Sequence, residues 1–312
     1  MQMVAPALVL FSVLFPTKLW FAPDQPITIT VKPPGGTVVL VLTDFLGKVI
    51  DARAAADVDA EKTIDLRELY PQLATPGTYI LYAVPKGKPL GDFVGTPLLL
   101  SVRADVRRDA PPGPMVVNVA PLSYAVMKTD RGDVHVAFYY DVAPHTVANF
   151  LDLAQGGFYD GLGFHRVIAD FIVQTGDPRG DGTGGPGYRI DPEFNDREHR
   201  PGVLSMARQT DPLERAGALP RSDAAGSGGS QFFISLNYAR TRQFDRRYTA
   251  FGRVFDGMDV VESLSRVPTD PQTERPLEPP VIRQIQVMPV DAAHNPYPNL
   301  LSPAPTTQPG EE

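Results

Sequence analysis

The amino-acid sequence predicts a mainly β protein built from two domains. Apolar runs of strand length recur through most of the chain, separated by turns rich in glycine and proline. The 312 residues exceed the usual size of one domain and suffice for two hydrophobic cores. Three prolines between Arg107 and Pro114 interrupt the strand pattern, because proline has no backbone N–H to donate to a sheet. We therefore expect a stiff linker at residues 107–117, between two domains.

Composition excludes several classes of function. The formal net charge of −7 and the absence of a basic cluster interleaved with aromatic residues argue against a nucleic-acid partner. The chain has no cysteine, which excludes disulfides and thiolate zinc sites. The five histidines show no HxH or HExxH spacing that would place two of them on one metal. We expect neither a metal nor a cofactor.

The apolar run Val4–Phe15 fits two interpretations, a buried first strand or the core of an export signal. No basic residue precedes the run and no small-residue cleavage site follows it. It is also too short to span a bilayer, so we expect no transmembrane segment. We favour a periplasmic or secreted location, with a cytoplasmic one as the alternative, since a chain without cysteine suits both.

The first domain, residues 1–106, is predicted to be a β-sandwich. Strand-length runs such as Ile27–Val31, Val38–Leu42 and Pro97–Val102 alternate with glycine and proline turns and show no helical period. Pro-Gly lies just before Tyr79, a pattern that resembles the tyrosine corner of immunoglobulin-like folds, although Tyr79 also suits a plain half-buried strand. Nothing here suggests catalysis, so this domain is a candidate surface for a protein partner.

The second domain begins with two alternating strands, Ser123–Lys128 and Asp133–Tyr139, which the turn between them predicts to be a hairpin. A helix follows, because Pro144 suits a first turn and Val147, Phe150, Leu151 and Ala154 recur at helical spacing. A second helix is predicted at Asp256–Ser265 and a last strand at Val281–Val287, and residues 290–312 are predicted to be a disordered, Pro-rich tail.

The segment Phe164–Asp177, FHRVIADFIVQTGD, contains two apolar runs around a turn at Ala169 and Asp170, with Arg166 in the first run. It resembles the signature of the cyclophilins, the peptidyl-prolyl cis/trans isomerases. DGTGGPG, GVLSMAR, GGSQFFIS and YTAFGRVFDGMDVVE follow in the order of that family. The resemblance implies that residues 118–289 form an eight-stranded antiparallel β-barrel capped by two helices. Among cyclophilins, the chain looks most like bacterial members.

The implied activity is rotation about Xaa-Pro bonds in peptides and unfolded proteins. The barrier of about 18–20 kcal/mol arises because the twisted amide loses resonance. A catalyst needs a donor for the imide nitrogen and an apolar slot for the proline ring, but no covalent intermediate. By resemblance, Arg166 donates toward that nitrogen, Gln174 orients Arg166, and Phe171 contributes to the slot. The resemblance further implies these substrate-binding residues: Ile172, Ala207, Arg208, Gln231, Phe233, Phe244 and Tyr248.

Simpler interpretations of these residues remain open. Arg166 also suits a strand arginine with its head in water, Phe171 and Phe233 suit the barrel core, and Gln231 suits a bond to neighbouring backbone. The glycine-rich run Asp177–Gly187 is either a loop along the substrate groove or a flexible surface loop. The longer stretch Met206–Ser230 suits a mobile excursion.

Two further expectations concern ligands and function. Gln243 stands where many eukaryotic cyclophilins have a tryptophan, so we expect weak or no cyclosporin binding, since glutamine lacks the flat apolar face and N–H of an indole. The alternatives to an enzyme are a prolyl-peptide binding or chaperone module with little turnover, and a scaffold that acts through the sandwich and the tail.

Overall fold

The computed structural model describes residues 13–22, 25–50, 57–105, 113–214 and 219–300. The chain divides into two compact units. The first contains residues 1–123 together with the segment from Pro289 onward, and the second contains Tyr124–Met288. No helix among the described residues is long and apolar enough to cross a membrane.

The first unit contains nine strands and one short helix. In chain order they are β1 (Leu14–Pro16), β2 (Trp20–Phe21), β3 (Thr28–Val31), β4 (Val38–Asp44), β5 (Asp57–Val58), β6 (Lys62–Asp65), α1 (Leu66–Leu69), β7 (Gly77–Pro85), β8 (Leu98–Asp105) and β9 (Gly113–Pro121). They form two antiparallel sheets, ordered β1-β3-β6 and β2-β9-β8-β7-β4-β5. Of the predicted run Val4–Phe15, residues 4–12 lie outside the described part of the chain, and β1 begins at Leu14.

Both sheets contribute to one hydrophobic core. Alternate residues of β3, Ile29 and Val31, are fully buried, as are Leu40 and Leu42 of β4 in the other sheet. Tyr79, at the start of β7, donates its hydroxyl hydrogen bond to the carbonyl of Thr75 at 3.1 Å. This is the backward bond that the pattern before Tyr79 predicted.

The boundary between the units lies later than the sequence indicated. Residues Gly113–Pro121 are a strand that pairs with β8 and β2, so residues 113–117 are not a linker and 118–121 are not part of the barrel. Pro114 is accommodated near the start of the strand, next to a register shift at Ala104 and Asp105, where a missing N–H is tolerated. Residues 107–112 of the predicted linker lie outside the described residues.

The segment after the barrel also differs from the predicted disordered tail. Val290, Tyr297 and Leu300 are buried, and the Tyr297 ring packs edge-on against Phe45 with centroids 5.8 Å apart. Its hydroxyl donates to the backbone carbonyl of Ser123. Residues 290–300 are therefore part of the first unit, because three apolar side chains are enough to hold so short a segment. The rest of the predicted tail, 301–312, lies outside the described residues.

The second unit contains eight strands and four helices. They are β10 (Ser123–Thr129), β11 (Gly132–Phe138), α2 (Pro144–Gln155), β12 (Arg166–Ile168), β13 (Ile172–Thr175), β14 (Val203–Met206), α3 (Ser222–Ala225), β15 (Phe232–Ser235), α4 (Tyr238–Thr241), β16 (Thr249–Asp256), α5 (Met258–Ser265) and β17 (Ile282–Pro289). The sheet order is β12-β13-β15-β14-β16-β11-β10-β17. The predicted hairpin is confirmed, since β10 pairs antiparallel with β11.

The sheet is curled, and its two edges meet. Backbone hydrogen bonds join Gly161 to Ile282 and Phe164 to Pro280, linking the chain before β12 to the start of β17. Of the predicted helical face of α2, Val147, Phe150 and Ala154 are buried and Leu151 is half-buried, and Phe150 packs against the barrel strands. Its fully buried ring lies 5.4 Å from the rings of both Phe232 and Phe251.

Candidate functional site

Cross-strand register places three of the predicted site residues in one row. Arg166 of β12 is the direct partner of Gln174 on β13, and Gln174 is in turn the direct partner of Phe233 on β15. Direct partners in antiparallel strands project to the same face of the sheet. The arginine, the amide and the aromatic ring therefore lie on one face of the sheet, although Arg166 and Phe233 are 67 positions apart in the sequence.

Four of the predicted aromatic residues form one cluster on this face. The Phe244 ring lies 5.4 Å from Phe171, 5.2 Å from Phe233 and 4.8 Å from Tyr248, measured between centroids. Phe171 precedes β13, so it does not follow the alternation predicted for Phe171, Val173 and Thr175. Val173 and Thr175 are fully buried, whereas Phe171 stays half-exposed beside Phe244. The four rings therefore form one apolar cluster on the face that carries Arg166.

The 3₁₀ turn that carries Phe244 (Arg242–Phe244) is held by a polar network behind the aromatic cluster. Asp245 accepts hydrogen bonds from the backbone N–H of His199 and from the hydroxyl of Tyr238, and its Oδ1 lies 2.8 Å from His199 Nδ1. The buried His199 ring stacks on Phe233. Burial opposes ionisation of Asp245, but these hydrogen bonds outweigh it and hold the pKa of Asp245 below its ordinary value.

The glycine-rich loop after β13 is ordered by one carboxylate. Asp177, 1% exposed, accepts hydrogen bonds from the backbone N–H groups of Arg179, Asp181 and Gly182. Burial alone would raise its pKa, but the bonds from these amides hold the pKa of Asp177 below its ordinary value. The run is therefore a structured loop, and not the flexible one that its composition also allowed.

Gln174 and Gln231 connect that loop to the row of site residues. The amide nitrogen of Gln174 donates to Gln231 Oε1 at 3.0 Å, and Gln231 Nε2 donates to the carbonyls of Gly182 and Gly184. The described hydrogen bonds include none between Gln174 and Arg166. A cavity of about 650 Å³ adjoins these amides, with Gly184, Tyr188 and Ala207 in its lining.

Ala207 and Arg208 lie where β14 ends, but the side chain of Arg208 does not point freely into the groove. Its guanidinium stacks over the Tyr248 ring at 4.2 Å and donates to both carboxylate oxygens of Glu214. Glu214 also pairs with Arg247. Arg208 and Glu214 are buried in this pair, so the start of the stretch Met206–Ser230 is attached to the barrel through it. Sequence composition did not show this, because both arginine partners of Glu214 are specified only by the fold.

The partner of Arg166 is an acid that the sequence analysis missed. Arg166 Nε donates to Glu274 Oε2 at 2.6 Å, and both side chains are about two-fifths exposed, at 39% and 42%. Burial lowers the pKa of the neighbouring His165, so its ring adds no positive charge at neutral pH. Glu274 lies in a turn without apolar periodicity, so nothing in the sequence drew attention to it.

Ile172 is the remaining predicted site residue. It lies two positions before Gln174 on β13, which puts both on one face of the strand, and it is 2% exposed. It pairs with Ile168 on one side and with Ser235 on the other. Ile172 thus lies buried on the strand that also carries Gln174.

Comparison with known proteins agrees with this geometry. The family profile described as "Cyclophilin type peptidyl-prolyl cis-trans isomerase/CLD" matches residues 124–287. This range contains every residue of the row and the cluster. The chain belongs to the cyclophilin family.

Cyclophilins of several organisms resemble the chain over its second unit. Peptidyl-prolyl cis-trans isomerase A of Mycobacterium tuberculosis is 40% identical over 182 residues, covering 52% of this chain and 91% of that protein. A Synechococcus elongatus isomerase is 44% identical over 46% of this chain and 89% of its own length. A Cryptosporidium parvum cyclophilin, crystallised in the presence of the dipeptide Ala-Pro, matches with 29% identity and a TM-score of 0.46, over 54% of this chain and 99% of that one. The protein is a cyclophilin-type peptidyl-prolyl cis/trans isomerase.

Proposed function

We propose that Arg166 supplies the transition-state contact of this isomerase and that the cluster of Phe171, Phe233, Phe244 and Tyr248 holds the proline ring. The observation that carries the proposal is the register, which sets Arg166 and Phe233 on one face, two strands apart. The lone pair of the imide nitrogen becomes available only as the bond twists, so a guanidinium N–H stabilises the twisted state over both planar ones. No proton is transferred.

The residues before the proline have a place beside this site. The cavity next to Gln174 and Gln231 is open along Ala207, and the family resemblance puts substrate backbone along that segment. Gln231 is already bonded to loop carbonyls, so its role is to hold the cavity wall as well as to meet substrate. Gln174 supports the same cavity wall indirectly, because its amide nitrogen donates to Gln231. The substrates are proline-containing peptides and unfolded proteins.

The test is Arg166→Ala. A charge-assisted hydrogen bond contributes roughly 1.5–3 kcal/mol, and tenfold in rate corresponds to about 1.4 kcal/mol, so kcat should fall by about ten- to 150-fold. kcat/KM should fall equally, because the contact exists only in the twisted state. Exchange NMR on an Xaa-Pro peptide measures the turnover, and a titration measures peptide Kd, which should change little.

Arg283→Ala is the charge-matched control, because Arg283 is an exposed arginine of β17 that is not one of the proposed site residues. Equal loss of peptide binding and turnover in Arg166→Ala would instead favour the prolyl-peptide binding module. Unchanged turnover would contradict the role of Arg166.

The first unit is, in our proposal, an immunoglobulin-like domain that serves as a surface for a protein partner. In support, β1, β3 and β6 follow the order of strands A, B and E of that fold, and β4, β7 and β8 follow C, F and G. Tyr79 lies near the start of β7, as the tyrosine corner lies near the start of strand F. An experimental structure with different strand connections would contradict this assignment.

Two further proposals rest on Gln243: that cyclosporin binds weakly, and that the chain is of the bacterial type of cyclophilin. Its side chain donates to the carbonyl of Arg240 at 2.9 Å, which leaves no indole-like face beside the cluster. Inhibition of turnover at stoichiometric cyclosporin would contradict the expectation.

A further inference from the structure

We infer that Glu274 is a positioning residue for the isomerase reaction, because it holds the guanidinium of Arg166 by its Nε and leaves the two terminal amino groups for the substrate. This inference rests on the role proposed above for Arg166. The contact is short and charge-assisted, with 2.6 Å between Arg166 Nε and Glu274 Oε2. The two residues are 108 positions apart, so only the fold brings them together.

The donor that Glu274 occupies decides how the arginine is oriented. A guanidinium is a planar fork, so fixing the Nε–H direction fixes the plane in which the terminal amino groups lie. Neither terminal amino group of Arg166 has a hydrogen bond to another residue in the described part of the chain. An arginine side chain with free rotamers would lose much of its effect, since a misplacement of about 1 Å at a reacting group can cost a hundredfold in rate.

The backbone of Glu274 is held in place as tightly as its side chain. Its carbonyl accepts a hydrogen bond from the N–H of Val167, next to Arg166, at 2.9 Å. Its own N–H donates to the carbonyl of Asp270, and the Asp270 carboxylate accepts from the N–H groups of Gln272 and Thr273. The turn that presents Glu274 is therefore attached directly to the strand that presents Arg166.

Glu274 also adopts an unfavourable backbone conformation. Its φ is +58°, in the left-handed region that favours glycine and that only two other non-glycine residues of the described chain adopt. A glycine at this position would relieve the strain, yet the chain carries a glutamate. Stability alone does not account for this choice, whereas a carboxylate needed by Arg166 does.

The neighbouring Arg275 extends the same turn toward the glycine-rich loop. Its guanidinium donates to the carbonyl of Gly180. The turn thus contacts β12 through Glu274 and the glycine-rich loop through Arg275. The turn that carries Glu274 and Arg275 is therefore placed to support the site.

The decisive experiment is a double-mutant cycle in the full-length chain with Arg166→Ala and Glu274→Ala. We expect Glu274→Ala alone to lower kcat and kcat/KM together by about tenfold, with peptide Kd within a factor of about two, because only the twisted state uses the oriented donor. In the Arg166→Ala background the same change should alter turnover by less than about twofold, since there is no guanidinium left to orient. Exchange NMR supplies the rates.

A second variant separates positioning from folding. Glu274→Gly removes the carboxylate and relieves the left-handed strain, so its unfolding temperature should be equal to or above that of the wild type while its turnover falls. Glu278→Ala is the matched control, since Glu278 is an exposed acid four residues away with no contact to Arg166 among the described residues. Its turnover should equal the wild-type value.

Several outcomes would overturn the inference. Wild-type or faster turnover in Glu274→Ala would show that the ion pair is idle or inhibitory. Equal losses in both backgrounds, or a turnover that falls only with the unfolding temperature, would show a purely structural role. If Arg166→Ala itself leaves turnover unchanged, the role of the arginine fails and this inference fails with it. If turnover falls in Arg166→Ala but stays at the wild-type value in Glu274→Ala, this inference is wrong while the role of Arg166 stands.

Discussion

At the scale of single residues, Asp245 shows how a group outside the substrate groove supports the proline pocket. It joins the backbone and ring of His199 to the hydroxyl of Tyr238, and it directly follows Phe244. His199 in turn stacks on Phe233. The aromatic cluster is therefore supported from behind by a carboxylate that must stay ionised.

This network predicts a pH dependence. The folded-state pKa of Asp245 lies below the unfolded value of about 3.9, so its stabilising contribution is fully present above that value and is lost as the pH falls through the folded pKa. We expect the unfolding temperature of the wild type to fall more steeply below about pH 4 than that of Asp245→Asn. Thermal melts at a series of pH values measure both.

Asp152→Asn is the control, because Asp152 lies on the exposed side of α2 away from this network. It should keep the wild-type dependence. Parallel curves for the wild type and Asp245→Asn would show that the network does not stabilise the ionised form.

At the scale of an element, the glycine-rich loop depends on the absence of one side chain. A Cβ at Gly184 would lie 2.0 Å from Asp177 Oδ1, the oxygen that accepts from Arg179 N, whereas a Cβ at Gly185 meets nothing within 4 Å. The two glycines are adjacent, and neither has a positive φ. Their substitution therefore separates a steric requirement from a general need for flexibility.

We predict that Gly184→Ala displaces the Asp177 carboxylate and destabilises the second unit by about 1–3 kcal/mol, the usual cost of overpacking. The unfolding temperature should fall by about 2–4 °C for each kcal/mol, and the KM for peptide should rise because the cavity wall moves. Gly185→Ala should be neutral in both measurements. Equal effects of the two changes would mean that the loop needs backbone freedom and not the space beside Asp177.

At the scale of the whole molecule, the chain divides into two compact units. Every residue of the proposed site lies within Tyr124–Met288, and the first unit recruits the segment after the barrel for its own core through Tyr297. A fragment cut within the predicted linker, for example at residue 115, would keep most of β9, which pairs with β8 and β2 of the first unit. The appropriate cut follows Ser123.

We predict that a fragment of residues 124–288 folds and isomerises Xaa-Pro peptides with kcat/KM within about twofold of the full chain, since it keeps its own core and site. Calorimetry should give one cooperative transition for the fragment. A fragment that melts without cooperativity would show that the barrel requires the first unit to fold.

Much of the fold and of the site chemistry was predictable from sequence because the information is local. Alternation and Gly/Pro punctuation predicted several strands in each unit, and the spacing of Val147, Phe150, Leu151 and Ala154 predicted the first helix of the barrel. The segment FHRVIADFIVQTGD predicted the family and the activity. The domain boundary was wrong because a strand that begins among prolines has the composition of a linker. The tail was wrong in part because a few buried residues, among them Val290, Tyr297 and Leu300, hold a segment whose composition is that of a disordered one.

Only the tertiary structure decided which polar and charged side chains contact one another. Arg166 and Glu274 are 108 residues apart, Arg247 and Glu214 are 33 apart, and Gln174 bonds to Gln231 across 57. Such pairs leave no periodicity in the sequence, because each depends on the register of strands and on turns that fold elsewhere. The sequence by itself determined that an arginine, an amide and aromatic rings are present in a cyclophilin barrel. Their orientation depends on hydrogen bonds and ion pairs that form only when distant segments pack together.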